Sequence, residues 1–324
     1  MAGPKVSIGV PVYNGQRYLE QALQSLVNQT FNDFELIISD NASTDRTAEI
    51  CQDFASRDSR IRYYRNATNI GANPNFNRAF ELATGQYFRW AAYDDVCEPT
   101  YLERCVQALD ANPGAALAHT RTAIIDETGE RIDTNPAALA AKGVTLSDVQ
   151  DPPRKMDANC AVRRYADVLL HTKWCFEIFA LFRADKLRLT GGMGDFYGTD
   201  KVLLATMSLQ GKFIEIDEDL FRRRHHPAQS SQIKTAAQRA VWSGAARPAG
   251  FLASQRKCLA GYRRAISVAP IGIGQKLACH AVLLRYLLQV RKWSAIVGLS
   301  GRGVAAPASP QTPLAAASQE QAVH

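Results

Sequence analysis

Four polar segments of the chain carry side chains whose types and spacing suit chemistry. Asp94 and Asp95 are adjacent carboxylates that follow an apolar run, and carboxylate oxygens are ligands that Mg2+ and Mn2+ prefer. Asp40 follows a second apolar run, and Asp200 stands at the beginning of a predicted helix. The fourth segment, Arg222–Ser231, reads RRRHHPAQSS, and two histidines beside three arginines are not typical of a protein core.

The elements that must position these side chains alternate between strand and helix. Short apolar, β-branched runs predict strands, and apolar residues at helical spacing predict the helices between them. This alternation favours an α/β fold with a Rossmann-like, mainly parallel sheet that has helices on both faces. In the first hundred residues the predicted strands are Val6–Tyr13, Phe34–Ser39, Ile61–Arg65 and Tyr87–Ala92, and the predicted helices are Leu19–Val27, 43–54 and Asn75–Ala83.

Polar residues follow three of these strands at the point where each strand ends. They are Asn14, Asp40 and the pair Asp94 and Asp95. In an open parallel sheet, ligands bind in the crevice outside the carboxyl ends of the strands. We therefore expect these residues to line one crevice.

The second half of the chain has a less regular pattern. It predicts one long loop or insertion, several helical segments near the end and a final tail rich in Ala, Pro, Ser and Gln that is expected to be disordered. The predicted elements are a helix over Tyr101–Leu109, a strand over Ala115–Ile125, a loop over 134–157, strands over Glu177–Phe182 and Lys212–Asp217, a helix over Thr199–Leu209, helical segments within 255–300 and the tail Gly301–His324.

Composition is that of a globular protein, with 46% apolar and 21% charged residues in 324. Seven scattered cysteines form no CxxC pair, which argues against a zinc site or a disulfide framework and favours a reducing cytosol. The N-terminal segment has no pattern typical of a secretory signal. These features predict a cytoplasmic protein, with peripheral attachment to the cytosolic face of a membrane as a further candidate.

Charge is distributed unevenly along the chain. Residues 222–302 contain 15 Lys or Arg and no Asp or Glu, whereas residues 1–221 contain 23 basic and 30 acidic residues. Such a region favours contact with an anionic partner, for example a membrane surface or a lipid-diphosphate, although a solvated basic face is the simpler alternative. The charged residues within 278–299 argue against a membrane span and favour a surface helix or packing on the protein. No interleaving of aromatic and basic residues supports nucleic-acid binding, and the pattern does not indicate an oligomeric state.

Three stretches together resemble family 2 glycosyltransferases of the GT-A fold. They read VSIGVPVYNGQRYLEQALQSLVNQT, FELIISDNASTDRT and GQYFRWAAYDD. The resemblance implies inverting transfer of a sugar from a nucleotide-sugar, expected to be a UDP-sugar, to an acceptor hydroxyl in polysaccharide, O-antigen or glycolipid assembly. It implies a catalytic domain over residues 1–230, with a donor half at 5–110 and an acceptor half at 111–230. A basic helical region at 231–300 and a tail at 301–324 would follow.

The same resemblance implies roles on the donor side. The turn at Pro11, Tyr13 and Asn14 would lie against the nucleotide, and Asp40 would accept a hydrogen bond from the base. Gly71 would allow close approach of the backbone to the donor, with Asn75 and Arg78 as weaker candidates. Asp94 would face the ribose or the donor sugar, and Asp95 would hold Mn2+ or Mg2+.

On the acceptor side, Gly198-Thr199-Asp200 occupies the place of the family's acidic catalytic motif. Thr199 replaces the first acid, so Asp200 becomes the candidate base that accepts the proton of the acceptor hydroxyl; Asp195 is its competitor. Arg224 and His226 fit the family's Arg-x-His segment, which implies that His226 would complete the metal site or contact the diphosphate. Arg223 or Arg224 would pair with diphosphate oxygens. His225 is the alternative to His226, and aromatic residues near Trp174 are candidates to stack on an acceptor sugar or to pack in the core.

Two other classes of protein share parts of this pattern. A sugar nucleotidyltransferase has a similar nucleotide-binding core, but PVYNGQRYL lacks the repeated glycines and the basic residue of a triphosphate loop. A non-catalytic nucleotide-sugar-binding module is the second alternative. It would be favoured if acids were missing at 94, 95 and 200, and all three are present.

Overall fold

The computed structural model describes residues 3–141, 151–152, 154–227, 229–230, 233, 235–244 and 251–289. By its internal contacts the chain divides into the units Met1–Tyr286 and Leu287–His324, and the fold below belongs to the first. Its strands are β1 (Val6–Val12), β2 (Phe34–Asp40), β3 (Ile61–Arg65), β4 (Tyr87–Trp90), β5 (Val96–Cys97), β6 (Ala115–Ile125), β7 (Leu181–Arg183) and β8 (Lys212–Arg224).

Helices connect and cover these strands. Those in the first half are α1 (Leu19–Val27), α2 (Thr47–Arg57), α3 (Ala72–Glu81), α4 (Tyr101–Ala111) and α5 (Pro136–Ala141). Those in the second half are α6 (Ala161–His171), α7 (Ala184–Arg188), α8 (Thr199–Gln210), α9 (Ala236–Ser243), α10 (Phe251–Val268) and α11 (Ile273–Leu287).

The eight strands form one sheet in the order β3-β2-β1-β4-β7-β6-β8-β5. Strands β3, β2, β1 and β4 are parallel, β6 is parallel to β8, and the pairings of β7 with β4 and β6 and of β5 with β8 are antiparallel. The predicted α/β class with a Rossmann-like sheet is therefore confirmed, although the parallel order is complete only in the donor half.

The register of the parallel strands aligns their ends. Val12 of β1 pairs with Asp40 of β2, and Asp40 pairs with Arg65 of β3. Every residue of β1 and β2 is buried, because helices cover both faces of the sheet at this place. The polar residues that follow these strands therefore emerge at one edge of the sheet.

Two predicted strands differ from the structure. Glu177–Phe182 is not one strand: Phe176–Phe179 forms a 3-10 helix, and β7 begins only at Leu181. Cys175, which precedes that helix, has φ +53°, a left-handed conformation that interrupts an extended run. The strand predicted over Lys212–Asp217 continues to Arg224, because its outer half pairs with β6 and β5 despite its acidic side chains.

Four helices, α3, α5, α6 and α7, also differ from the predicted elements. α3 begins at Ala72 rather than at Asn75, since Pro74 lies in the first turn, where its missing N–H costs no helical hydrogen bond. α5 lies within the predicted loop 134–157, of which residues 142–150 and 153 lie outside the described part. α6 and the short α7 were not predicted.

The helical segments predicted within 255–300 are confirmed as far as Leu287, and α9 lies just before them. α9 contacts α3, and α10 contacts α8, so these helices pack on the sheet domain. The predicted division at residue 230 stays a prediction, and the predicted tail lies outside the described residues. Within the described ranges, no helix is both long and apolar enough to span a bilayer.

Candidate donor and acceptor site

The turn after β1 is tied to the loop after β2. Asn14 has φ +51°, its backbone N–H donates to Ser43 Oγ at 2.9 Å, and its Oδ1 accepts from the Thr44 N–H at 2.8 Å. Pro11 is buried in β1, whereas the Tyr13 side chain is 43% exposed. The exposed phenol ring can therefore meet a ligand, while Asn14 uses its amide oxygen and backbone N–H to hold the loop.

Gly15 brings this turn against the segment after β4. A Cβ at Gly15 would lie 2.9 Å from Cδ2 of Tyr93 and 2.7 Å from Cγ2 of Val12, so no larger residue fits without a shift. The close approach places the end of β1 beside the turn that carries Asp94 and Asp95.

Asp40 lies at the end of β2 and is completely buried. Its Oδ1 accepts from the Ser43 N–H at 2.9 Å, and its Oδ2 accepts from the Tyr63 hydroxyl at 2.7 Å, with Arg65 Nη1 at 3.5 Å. Burial, followed by the hydrogen bond to Asp40, raises the pKa of Tyr63. Both carboxylate oxygens are thus engaged by the protein, and the predicted contact of Asp40 with a base stays a prediction.

The turn after β4 holds the two adjacent carboxylates in different surroundings. Asp95 is 7% exposed, and its Oδ1 accepts from the backbone N–H of Arg224 at 2.9 Å. Burial and the charge of Asp94 raise the pKa of Asp95, although the Arg223 charge partly offsets this. Asp94 Oδ2 lies 2.9 Å from His226 Nε2. The structure therefore brings Asp94, Asp95 and His226 together, and the His226 imidazole contacts the carboxylate of Asp94.

Arg224 is buried and directs its guanidinium at the protein backbone. Its Nε donates to the Asp94 carbonyl at 2.8 Å, Nη1 to the Asp126 carbonyl at 3.0 Å, and Nη2 to Gln21 Oε1 at 2.6 Å. The guanidinium also lies 4.7 Å from the centre of the Tyr18 ring. These contacts make Arg224 a positioning residue for the Asp94–Asp95 turn, and its predicted contact with a diphosphate stays a prediction.

The neighbours of Arg224 in sequence have different environments. The Arg223 guanidinium lies 5.0 Å from the Phe176 ring centre and 5.8 Å from that of Trp174. Burial, followed by the charge of Arg223, lowers the pKa of His225, whose Nδ1 lies 3.0 Å from Gln229 Nε2. Of the two histidines, His226 is the one that contacts the acidic turn.

The donor atoms at this turn fit a metal that also binds a nucleotide. In the described part of the chain, no group of three or more His, Cys, Asp or Glu is arranged to hold a metal by itself. Mg2+ in nucleotide sites is typically held by one or two carboxylates together with substrate phosphates, rather than by a cage of protein ligands. A buried Asp95 beside the charge of Asp94 is an environment that a cation would stabilise.

Asp200 lies in the first turn of α8, after Gly198 with φ +89°. Its Oδ1 accepts from the Lys201 N–H at 2.8 Å. Burial raises the pKa of Asp200, and hydrogen bonds from the Lys201 N–H and the Cys175 thiol partly offset this. The side chain is not fully enclosed. A partly accessible carboxylate with a raised pKa is a stronger base than an ordinary aspartate, which suits proton acceptance.

Thr199, which replaces the first acid of the motif, and Asp195, the competitor of Asp200, both have structural partners. Thr199 Oγ1 accepts from the Gly194 N–H at 2.6 Å, so the residue that departs from the family's acidic pair holds the preceding loop. The Asp195 side chain is 64% exposed and lies 2.8 Å from Lys257 Nζ. Its exposed ion pair makes Asp195 the weaker candidate for a base.

Gly71 lies in a network of close backbone contacts and asparagine hydrogen bonds that the sequence did not predict. It has φ +86°, and a Cβ there would lie 2.1 Å from Cα of Gly244, so two backbones meet at this point. Asn75 is buried, and its Nδ2 donates to the Ser39 carbonyl at 2.7 Å. Asn41 accepts from the Ile70 N–H at 2.9 Å. Repeated asparagines just after β2 and β3 were the available signal for this network.

A cavity of about 790 Å³ lies against β6, β8 and the residues Asp151, Pro152, Arg154, Met156 and Asp157. None of the predicted donor residues is among its described lining residues, which include Phe176 and Glu177. Phe176 stacks on Trp174 at 6.2 Å between ring centres, with 23° between the planes. Phe176 therefore links the cavity lining to Trp174, and Arg223, which precedes Arg224, lies against both rings.

Known proteins share both the sequence and the fold. A model of glycosyl transferase family 2 matches residues 7–170, about half of the chain. The GalNAc(5)-diNAcBac-PP-undecaprenol beta-1,3-glucosyltransferase of Campylobacter jejuni is 28% identical over 211 residues, which cover 65% of this chain and 62% of the relative. The chain spans between a third and a half of the length of other curated relatives that it matches.

Two solved structures show the same architecture. Residues 1–349 of S. aureus TarS, in complex with UDP-GlcNAc, align with a TM-score of 0.64 at 16% identity, over 92% of this chain and 76% of that one. The mannosyltransferase PcManGT of Pyrobaculum calidifontis, with GDP-Man and Mn2+, aligns with a TM-score of 0.51 at 15% identity, over 91% and 84%. The fold is that of GT-A glycosyltransferases. The residues that the family model matches include most of β1, all of β2 to β6 and the Asp94–Asp95 turn. Because the model covers half of the chain, the chain belongs to glycosyl transferase family 2.

Proposed function

We propose that this protein transfers a sugar from a nucleotide-sugar to an acceptor hydroxyl with inversion at the anomeric carbon. The observation that carries the proposal is the placement of the Asp94–Asp95 turn, with His226 against Asp94, beside the turn that follows β1. Family membership and the complexes of TarS with UDP-GlcNAc and of PcManGT with GDP-Man support a nucleotide-sugar donor. A UDP-sugar is the donor that we propose.

On the donor side, the exposed Tyr13 would lie against the nucleotide. Asp95, with Asp94 and His226 beside it, would hold Mn2+ or Mg2+, which when bound neutralises charge on the departing diphosphate. PcManGT is described with Mn2+, which supports a divalent ion in this fold. Arg224 would keep the turn in position through its bonds to the Asp94 carbonyl and the Asp95 carboxylate.

On the acceptor side, Asp200 would accept the proton of the acceptor hydroxyl. The freed oxygen then attacks the anomeric carbon from the face opposite the leaving group, and the bond from that carbon to the diphosphate oxygen breaks. Because the new glycosidic bond forms on the face opposite the one that breaks, the configuration at the anomeric carbon inverts. The raised pKa of Asp200 favours this role, because general base catalysis improves as the pKa of the base approaches the pH of the working solution.

We propose a saccharide or a lipid-linked saccharide as the acceptor. The Campylobacter relative is named for a PP-undecaprenol-linked saccharide, which supports the second class. Trp174 and Phe176 would offer aromatic faces to an acceptor sugar. Work on such an acceptor would take place on the cytoplasmic side of a membrane, and the basic region 222–302 is the candidate contact with that surface.

The test is a donor screen followed by matched variants. UDP-, GDP- and TDP-sugars are incubated with the protein and Mn2+ or Mg2+, and slow donor hydrolysis and metal-dependent nucleotide binding are measured. Asp95→Asn should lose metal-dependent binding, Asp200→Asn should keep binding but lose transfer, and Asp195→Asn is the control that should change neither. Absence of binding by every nucleoside diphosphate, with or without metal, would refute the proposal. Retained anomeric configuration in the product, observed by NMR, would refute inversion.

A further inference from the structure

Helix α11 presents large apolar side chains to solvent along one face. Ile273, Leu277 and Leu284 are 80%, 65% and 57% exposed, and we call these three residues the α11 apolar row. With about 3.6 residues per turn, spacings of four and seven residues place them on one narrow side of the helix. The exposed His280 and Ala281 lie between Leu277 and Leu284 on this side of the helix. Large exposed apolar side chains grouped on one side of a helix are typical of an interaction surface.

The opposite face of α11 is anchored on the acceptor half. Cys279, Leu283 and Tyr286 are buried. The Tyr286 ring packs edge-on against Tyr262 of α10, with 5.8 Å between ring centres and 78° between the planes. Lys201 Nζ lies 5.5 Å from the centre of the Tyr286 ring, and Lys201 directly follows Asp200. The helix is thus held next to the candidate base, with its apolar row directed away from the protein.

Charge around the apolar row selects the kind of partner. Exposed Arg285 borders the row on one side, and the partly exposed Lys276, whose Nζ donates to the Ser267 carbonyl at 2.7 Å, lies on the other. Residues 222–302 contain no acidic residue. A second copy that docked through the same face would place these cations against one another. An anionic lipid surface offers both an apolar layer for the row and negative charge for its borders.

We propose that the α11 apolar row docks in the plane of an anionic membrane surface, with its basic borders at the level of the lipid phosphates. The contact would be peripheral, since the row is one face of a helix whose other face packs in the protein. Docking would turn the acceptor half, and with it Asp200, toward the bilayer. That last consequence rests on the proposed transfer to a lipid-linked acceptor, whereas membrane binding itself does not.

The experiment uses the full chain and vesicles of phosphatidylcholine with or without phosphatidylglycerol. Sedimentation with the vesicles at increasing NaCl should show binding to the anionic vesicles alone, weakened by salt. Leu277→Gln combined with Leu284→Gln should lower the partition constant at least about tenfold, because apolar area no longer leaves water. Leu189→Gln, at an exposed leucine outside α11, is the matched control. Arg285→Gln should weaken binding and its dependence on salt.

Several outcomes would overturn the proposal. They are equal binding to neutral vesicles, no binding to anionic ones, and a double variant that binds as the parent does while its thermal unfolding is unchanged. If the parent is a dimer by light scattering and the double variant a monomer, the row is a contact between copies instead. Metal-dependent UDP binding is measured on the same samples: its absence with intact vesicle binding would refute the proposed function and leave the membrane surface standing.

Discussion

Replacing Asp95 by asparagine should stabilise the ligand-free protein while removing metal-dependent nucleotide binding. The Asp95 carboxylate is buried, and among neighbouring charges the carboxylate of Asp94 has the largest effect on its pKa. Asparagine keeps an oxygen that can accept from the Arg224 N–H, and it removes the charge that the surroundings oppose. When no cation is bound, the buried negative charge of Asp95 is therefore expected to lower the stability of the folded protein.

The magnitude follows from the pKa of Asp95, which burial and Asp94 raise from 3.8 to about 7. At about 1.4 kcal/mol per pH unit, the penalty for the charged form is at most about 4 kcal/mol. Burying the new amide group offsets part of the gain, by about 1–3 kcal/mol. We expect a net gain of about 2 kcal/mol at pH 8, or roughly 4–8 °C in melting temperature.

The sign of the pH dependence is a second part of the same prediction. An acid whose pKa is raised in the folded state binds more protons there than in the unfolded chain, so the parent loses stability as pH rises from about 4 to about 7. The variant lacks this group. Its advantage should therefore be complete above pH 7 and shrink as the pH falls toward about 4.

The assay is urea unfolding without metal or nucleotide at pH 8 and pH 4.5, followed by melting with UDP and Mn2+. Asp45→Asn is the control of opposite sign, because hydrogen bonds from Thr47 and Gln16 outweigh burial and lower the pKa of Asp45. That variant should be less stable than the parent at pH 8. If Asp95→Asn is no more stable than the parent at pH 8, or if its advantage grows on acidification, the reasoning is wrong.

Three further predictions concern single residues. Asp200→Asn should lower the rate of transfer by about a hundredfold to ten-thousandfold without changing UDP binding. Because burial raises the pKa of Asp200, kcat/KM of the parent should begin to fall on acidification at a pH above the pKa of an ordinary aspartate. A rate that is independent of pH down to pH 4 would contradict this. Arg224→Met should cost about 3 kcal/mol in urea unfolding, because it leaves the partly buried carbonyls of Asp94 and Asp126 without their donor. Arg222→Met, at the more exposed arginine two residues earlier, should cost less. Gly71→Ala should lower the melting temperature through its contact with Gly244, whereas Gly114→Ala, with open space around it, should have a much smaller effect.

The donor half was predictable because its signals are local. The strands Val6–Val12 and Phe34–Asp40 are mostly apolar and fully buried because helices cover both faces of the sheet, and this burial is visible in the residue types. The acceptor half was less predictable. The positive φ of Cys175 turns an apparently continuous apolar run into a 3-10 helix and a short strand. The charged outer half of β8, Glu218–Arg224, is held in the sheet by its neighbours rather than by its own residue types.

The sequence by itself determined the fold class, the family and the Asp94–Asp95 turn, because periodicity and short motifs depend on neighbours along the chain. Only the tertiary structure decided which partner each polar group has. Arg224 has the residue type of a phosphate ligand, yet its guanidinium lies on backbone carbonyls from two distant segments. His226 meets Asp94, although 132 positions separate them. Such pairs are formed by chain crossings, and a burial environment that raises the pKa of Asp95 exists only once distant elements exclude water from it.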